Sequence, residues 1–258
     1  MSTEEKKTRQ LPLLPEREEF FALMRESFSA AGLGELLTSE AEERFYTLLG
    51  YMLDEGSRLN VTAIRSIDEI IAKHFVDSAA VAPYLPQGCT VCDVGTGGGF
   101  PALPLAIVRP DLSITALDST AKKIAYVAEG AARLGLDGFR AISGRAEELG
   151  GEGGELRERF DVVVSRAVAA LPVLCELCLP LVRVGGCFAA MKGPSGREEL
   201  AASDGAIHKL GGVFSAEHET VIALGDERLR HPLFVIEKCG HTPPQYPRQF
   251  AKITKKPL

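Results

Sequence analysis

The run Val91-Cys-Asp-Val-Gly-Thr-Gly-Gly-Gly-Phe-Pro101 ends an apolar stretch on Asp93 and follows it with glycines at 95, 97, 98 and 99. Glycine lets a turn adopt positive φ and lets a ligand lie directly against backbone. Between a strand and a helix, such a loop holds a nucleotide at the carboxyl edge of a parallel sheet. Pro101 suits the first turn of that helix, where its missing N–H has no partner to lose. Asp118 closes the next apolar run, 23 residues after Gly95, a spacing at which a carboxylate takes two ribose hydroxyls. Ser119 and Thr120 follow it. Gly144-Arg-Ala-Glu-Glu148 comes after the third such run, and Val164-Ser-Arg-Ala167 ends the fourth. An acid after the third strand is placed to receive an adenine amino group, and Arg166 to reach a cofactor carboxylate or a target base.

These residues admit two cofactor classes. The dinucleotide pattern G-x-G-x-x-G fails from Gly95, because Phe100 holds its last position, and survives only in relaxed form as Gly97-Gly99-Ala102. The acid-preceded Asp-x-Gly-x-Gly-x-Gly form from Asp93 is typical of S-adenosylmethionine-dependent methyltransferases. An NAD(P)-dependent oxidoreductase needs a Tyr-Lys pair or a His at the hydride, and no such partner is identifiable. A non-catalytic RNA-binding factor in ribosome assembly, on a decayed cofactor fold, is a third reading. The intact loop and Asp118 speak against decay.

The elements that must position this chemistry are legible as a change of pattern at Thr90. Before it the chain is helical: Glu16 to about Ala31 between Pro15 and Gly32, a second helix capped by Thr38, and a third from Ser66 to about Tyr84 with Ser66 and Glu69 as a capping box. After it, strands Val91–Val94, Ser113–Leu117, Phe139–Ile142, Asp161–Val164 and Gly186–Met191 alternate with helices over Pro101–Val108, Ala121–Leu134, Ala146–Leu149, Val168–Leu181 and Arg197–Leu210. Two late strands fall near Gly212–Phe214 and Leu233–Glu237. Near-continuous apolar strands joined by helices predict an α/β, doubly wound Rossmann-like sheet, parallel and covered on both faces. The expected organisation is a loose arm over 1–15, a helical N-terminal cap over 16–88 lying on the carboxyl edge of the sheet, a cofactor domain over 89–240 and a basic tail over 241–258.

With 45% hydrophobic and 25% charged residues the chain is of ordinary globular composition. The richest apolar run, Phe100–Val108, is too short for a membrane span and carries two prolines. The first ten residues mix acids and bases, unlike a signal peptide. A cytoplasmic protein without a membrane partner is expected, and its six cysteines are expected as reduced thiols. From Arg228 to Leu258 there are seven bases and one acid, which leaves 22 bases against 34 acids in the other 227 residues. A basic end on an acidic body predicts one localised polyanion contact rather than general nucleic-acid coating. Cys89-x-x-Cys92 and Cys175-x-x-Cys178 are too far apart for one compact zinc module and are expected as core thiols, with no metal site. Asn60-Val-Thr62 is expected as an accidental sequon. His208 and His218 are expected at the surface.

The ordered set Leu59-Asn-Val-Thr-Ala-Ile-Arg65, Lys73-His-Phe-Val-Asp-Ser78, Asp93–Pro101, Val164-Ser-Arg-Ala167, Met191-Lys-Gly193 and Tyr246-Pro-Arg248 resembles the RsmG (GidB) family, bacterial guanine-N7 methyltransferases of small-subunit (16S) ribosomal RNA. The resemblance covers roughly residues 38 to 258. It implies S-adenosyl-L-methionine as cofactor, held by Gly95, Phe100, Asp118, Ser119, Thr120, Ala146, Glu147 and Arg166, and Gly97 and Gly99 of the glycine loop are further candidates for that contact. Arg166, Ser165 and His74 are implied as positioning residues. Arg145, Lys192, Arg248, Lys252, Lys255 and Lys256 are the candidates for contact with 16S ribosomal RNA, as small ribosomal subunit or assembly intermediate, by a monomeric enzyme. Gln249–Thr254 departs from the family, which tends to have proline and glycine there. Guanine N7 already carries an unshared pair, so methylation there is catalysis by alignment. Ser165-Arg166 stands where an Asp/Asn-Pro-Pro-Tyr motif would mark an exocyclic amine target.

Overall fold

The computed structural model describes residues 12–55, 62, 64 and 66–258. Helix α1 (Arg17–Ala30) buries Phe20, Phe21, Met24 and Phe28, a stripe at helical spacing. The chain then turns at Gly32, where φ is +72°. In α2 (Ser39–Asp54) the Thr38 hydroxyl accepts from the Ala41 N–H at 3.2 Å, and Phe45, Leu48, Leu49 and Met52 face inward. The Ser66 hydroxyl accepts from the Glu69 N–H at 3.3 Å. Beyond it the expected single helix is divided into α3 (Ile67–Ile70), a π-helical segment Ile71–Val76, α4 (Asp77–Ala79) and a 3-10 turn at Ala82–Tyr84. A π-helical turn widens the backbone and recurs at functional positions. This one carries Lys73 and His74.

The strands β1 (Thr90–Val94), β2 (Ser113–Asp118), β3 (Phe139–Ser143), β4 (Phe160–Arg166), β5 (Val182–Met191), β6 (Gly212–Leu224) and β7 (Glu227–Lys238) form one sheet in the order β3-β2-β1-β4-β5-β7-β6. β1 to β5 pair in parallel. β7 lies antiparallel to β5, and β6 antiparallel to β7, so the sheet is mixed where a parallel one was expected. The two late strands are also far longer than their apolar runs. They form a hairpin turning at Gly225 (φ +55°), and charged residues such as Glu217, Glu219, Arg228 and Arg230 on its solvent side interrupt the apolar signal.

Helices α5 (Ala102–Val108), α6 (Ala121–Arg133), α7 (Ala146–Leu149) and α8 (Leu171–Cys178) cross between the parallel strands, followed by α9 (Gly196–Ala201) and α10 (Asp204–Lys209). α8 starts three residues later than expected, and the helix expected over Arg197–Leu210 breaks at Ala202-Ser203. Because side chains alternate along a strand, Val91, Val162, Val164 and Ala189 enter one core and Cys92, Val163, Phe188 and Ala190 the other.

α1 and α2 share the first of these cores with the sheet, so the cap has no separate interior. α1 packs on the π-helical segment and β6, and α2 on α5 and α6, where Tyr51 stacks on Tyr126 at 4.5 Å between centroids. The π-helical segment and α4 reach the carboxyl edge, through His74 and Asp77. The tail is likewise packed rather than loose. Helix α11 (Phe250–Lys255) puts Ile253 into the second core, and Arg157 donates to the carbonyls of Thr242 and Tyr246. Cys89, Cys92, Cys175 and Cys178 are buried, Cys187 is half-buried and Cys239 exposed. Among the described residues no helix is long and apolar enough to cross a membrane.

Candidate active site

The ends of β1, β2 and β4 and the loop after β3 border one cleft of about 530 Å³, a size ordinary for a small-molecule site. Its floor is the loop after β1. Gly95, Gly97 and Gly99 have φ of +78°, +58° and +93°. At Gly95 a Cβ would lie 2.4 Å from the Val168 side chain, so the close approach of this loop to the one after β4 requires glycine. The Gly95 and Thr96 N–H groups both donate to the Leu117 carbonyl, at 2.8 and 3.0 Å. Gly99 does not line the cleft. It packs against Leu103, leaving no room for a Cβ.

Asp118 organises the same loop from the end of β2. Its Oδ2 accepts from the Gly97 N–H at 3.0 Å and its Oδ1 from the Thr120 N–H at 2.8 Å. An ionised carboxylate has about four acceptor positions, so this leaves capacity for two hydroxyls of a ligand. Ser119, Thr120, Ala146, Glu147 and Phe100 also line the cleft. Ala146 and Glu147 stand at the start of α7, where first-turn N–H groups have no partner inside the helix. Positive-φ glycines, a loop-fixed carboxylate and a helix start around one cleft fit a nucleoside cofactor such as S-adenosylmethionine.

Asp93 lies beneath the loop, fully buried. Its Oδ2 accepts from the Ala102 N–H at 3.2 Å. Burial pushes its pKa up to about 7, against the opposing pull of the Thr96 hydroxyl and that N–H. It holds loop to helix from below and does not line the cleft.

The wall toward the cap is built on Arg166. Its NH1 donates to the Lys73 carbonyl and to Asp77 Oδ2, both at 2.6 Å, and its NH2 lies 3.4 Å from His74 Nδ1. The His74 ring stacks on Phe100, centroids 4.5 Å apart and planes 17° apart. Its Nε2 lies 2.7 Å from the Thr62 hydroxyl. Burial, then the charges of Arg166 and Lys73, lowers the His74 pKa to about 4. The ring is therefore neutral at pH 7, and with Arg166 donating to Nδ1 its proton sits on Nε2. Ser165 is not in the cleft. It is fully buried, and its hydroxyl donates to the Val94 carbonyl at 2.9 Å, so it joins β4 to β1 and positions strands rather than reactants.

Two of the six RNA candidates are committed within the fold. Lys192 is 8% exposed, pairs with Glu199 at 2.7 Å and donates to the Ala169 carbonyl at 2.8 Å. Arg248 forms a bidentate pair with the wholly buried Glu176, at 2.6 Å from NH2 and 2.8 Å from Nε. Lys192 is itself buried and Arg248 is taken by a carboxylate that burial deprives of water, which spacing in the sequence could not show. Arg145 rims the cleft, while Lys252, Lys255 and Lys256 are exposed on and after α11. The motif from Leu59 to Arg65 and the sequon at Asn60 lie outside the described residues, apart from Thr62 and Ile64. His208 is exposed, and His218 is half-buried, stacked on Tyr84.

Sequence reasoning missed Phe250 and Val168 as cleft residues, Asp77 as the partner of Arg166 and His231 as the second partner of Asp77. Phe250 comes from α11, and an aromatic among basic residues was its only signal. His231 Nδ1 lies 2.8 Å from Asp77 Oδ1, a contact across 154 residues that no local pattern announces.

A family model described as rRNA small subunit methyltransferase G matches residues 41–227. The Deinococcus radiodurans protein named ribosomal RNA small subunit methyltransferase G is 48% identical over 220 residues, 84% of this chain and 85% of that one. Its namesake from Clostridium beijerinckii is 42% identical over 241 residues, 93% of this chain and 99% of that one. Among solved structures, M. jannaschii TYW2 in complex with AdoMet is similar with a TM-score of 0.50 at 15% identity, over 63% of this chain and 74% of that one. At that identity the likeness is one of fold.

Proposed function

This chain belongs to the rRNA small subunit methyltransferase G family, and from that membership we propose that it methylates N7 of a guanine in the RNA of the small ribosomal subunit. It is a methyltransferase of ribosomal RNA with a Rossmann-like fold, and its cofactor is S-adenosylmethionine. Family membership decides against the oxidoreductase and against the non-catalytic assembly factor. The observation that carries the reading is the meeting of the glycine loop, Asp118 and the start of α7 around one cleft at the carboxyl edge. Arg145, Lys252, Lys255 and Lys256 supply the exposed bases of the RNA-facing side. A cytoplasmic monomer acting on the small subunit or its assembly intermediate is the setting we infer.

S-adenosylmethionine supplies an electrophilic methyl group on a sulfonium. The chain has to hold it in line with the unshared pair of N7, and that alignment needs no proton removed from the nucleophile. In this reading Asp118 fixes the ribose, Ala146 and Glu147 border the adenine, and Phe100 with neutral His74 closes the wall toward the reacting end.

The test is calorimetry with S-adenosylmethionine and with NAD, followed by transfer of a labelled methyl group to small-subunit RNA. N7 methylation is located by strand scission with aniline after borohydride reduction. Binding of S-adenosylmethionine alone and scission at one guanosine are expected. Asp118→Ala removes both the ribose contact and the Gly97 anchor, and is expected to cost about 1.5–3 kcal/mol of cofactor binding. Unchanged affinity in a folded variant overturns the assignment of this cleft.

A further inference from the structure

A second cavity, of about 180 Å³, lies beside the cofactor cleft, and Arg166 and Ala167 wall both. It opens between the cap, the end of β5 and the β6–β7 hairpin, with apolar walls from Val81, Met191 and Leu233. Pockets that enclose a whole ligand run to roughly 300–1,000 Å³, so this one has the size of a ring system and not of a second cofactor. Apolar faces with a few fixed polar groups at the edge are what an extruded nucleobase requires.

Three observations point to a guest. Arg166 Nε is buried and has no hydrogen-bond partner, although NH1 meets two acceptors and NH2 meets His74, and a buried N–H left unmet is rare enough to need an explanation. Next, the Asp77 carboxylate clamps two cavity residues at once, Arg166 on Oδ2 at 2.6 Å and His231 on Oδ1 at 2.8 Å. With Nδ1 of His231 so occupied, its Nε2 is the nitrogen left for a guest. Thirdly, Ala167, at the junction of the two cavities, has φ of +56°, an uncommon conformation for a residue with a side chain and one that gathers at functional sites.

We propose that this cavity receives the base to be methylated, a 6-oxopurine, with the Nε–H of Arg166 donating to its carbonyl and His231 as the second polar wall. The inference rests on the methyltransferase reading above. The junction sets the chemistry, because N7 must face the cofactor cleft, and the group beside N7 is a carbonyl in guanine and an amine in adenine. A guanidinium N–H can only donate, so it pairs with the carbonyl and opposes the amine. Asp77 is then a positioning residue that holds both donors in place.

The experiment compares wild type with His231→Ala and Thr220→Tyr. Thr220 sits opposite His231 in the hairpin and lines the same cavity but not the cofactor cleft, so tyrosine there fills the space while remaining at home in a strand. Both variants are expected to fold and to bind S-adenosylmethionine, His231→Ala melting lower because it leaves the buried Asp77 Oδ1 without its partner, and both are expected to lose methyl transfer to small-subunit RNA by about a hundredfold, the scale at which misplacing a reactant acts. Arg166→Gln carries the specificity arm, since an amide both donates and accepts. On RNA with adenosine in place of the methylated guanosine, its preference for guanosine over adenosine should narrow, which a merely structural lesion would not cause. Wild-type transfer by Thr220→Tyr, or an unmoved base preference in Arg166→Gln, overturns the cavity as the base site while the methyltransferase reading stands. Absence of transfer by wild-type protein that binds the cofactor overturns both.

Discussion

His74 is a histidine held neutral by its surroundings. Its ring is pressed on Phe100, it accepts from Arg166 at Nδ1, and its pKa falls to about 4. In the unfolded chain it takes up a proton near pH 6.5, and in the folded chain only near pH 4. Between those limits the unfolded state binds more protons, so stability falls as pH is lowered from 6.5 to 4 and is unaffected by this group above 6.5. The full difference is about 3 kcal/mol by the size of the shift. His74→Gln removes that slope. Melting temperatures of the two proteins are expected to converge, and then to favour the variant relative to its position at pH 7.5, as pH falls through this window. A constant gap from pH 7.5 to 4 would mean that His74 titrates normally. His231 shows the opposite environment, its pKa raised chiefly by the hydrogen bond to Asp77, so two histidines near one arginine are driven apart, one chiefly by burial and the other by its carboxylate partner. Neither shift was readable in sequence, because each depends on a residue brought from another element.

At the level of elements, α11 and the segment before it are fastened to α8 by Arg248 on Glu176. Glu176 is completely buried among the leucines of that helix, and Arg248 meets it through Nε, NH2 and its backbone N–H. Removing one member of a buried pair strands the other, at about 3–5 kcal/mol. Arg248→Ala is expected to destabilise by that order in urea unfolding, and adding Glu176→Leu is expected to recover most of it, because no charge then remains buried. Equal stability of the wild type and Arg248→Ala would show the pair to be inconsequential. The strand–helix alternation from Thr90 to Met191 was legible, since two-sided burial writes itself as apolar runs and since Thr38 and Ser66 cap the helices that follow them. The hairpin Gly212–Lys238 was legible only at its buried ends. One of its faces meets solvent, and there Arg228, Arg230, Glu217 and Glu219 pair with each other or with Arg197 and the turn and erase the apolar signal. The splitting of the third helix at the π-helical segment had no signature at all.

On the scale of the whole molecule the charge is divided, and the structure divides the basic end again. Arg248 is spent on Glu176, whereas Lys252, Lys255 and Lys256 remain in solvent near the mouth of the cleft, which Phe250 of the same helix lines. Replacing the three lysines with glutamine is expected to leave urea stability unchanged and to flatten the salt dependence of RNA binding by about two units on a logarithmic plot, if each lysine meets one phosphate. An unaltered slope would turn attention to Arg145 and the cap. The composition announced the basic end, but that Arg248 is not among its free bases depended on where Glu176 is buried. The shared wall at Arg166 has one more consequence. Because a single arginine, braced by Asp77, borders both cavities, anything that binds in one and shifts that side chain alters the free energy of binding in the other. Linkage makes the effect mutual: whatever factor the cofactor applies to RNA affinity, RNA applies to cofactor affinity. On the base-site proposal above, exchange of spent cofactor for fresh and release of the methylated RNA are steps on one thermodynamic cycle, and Arg166 is the point at which they meet.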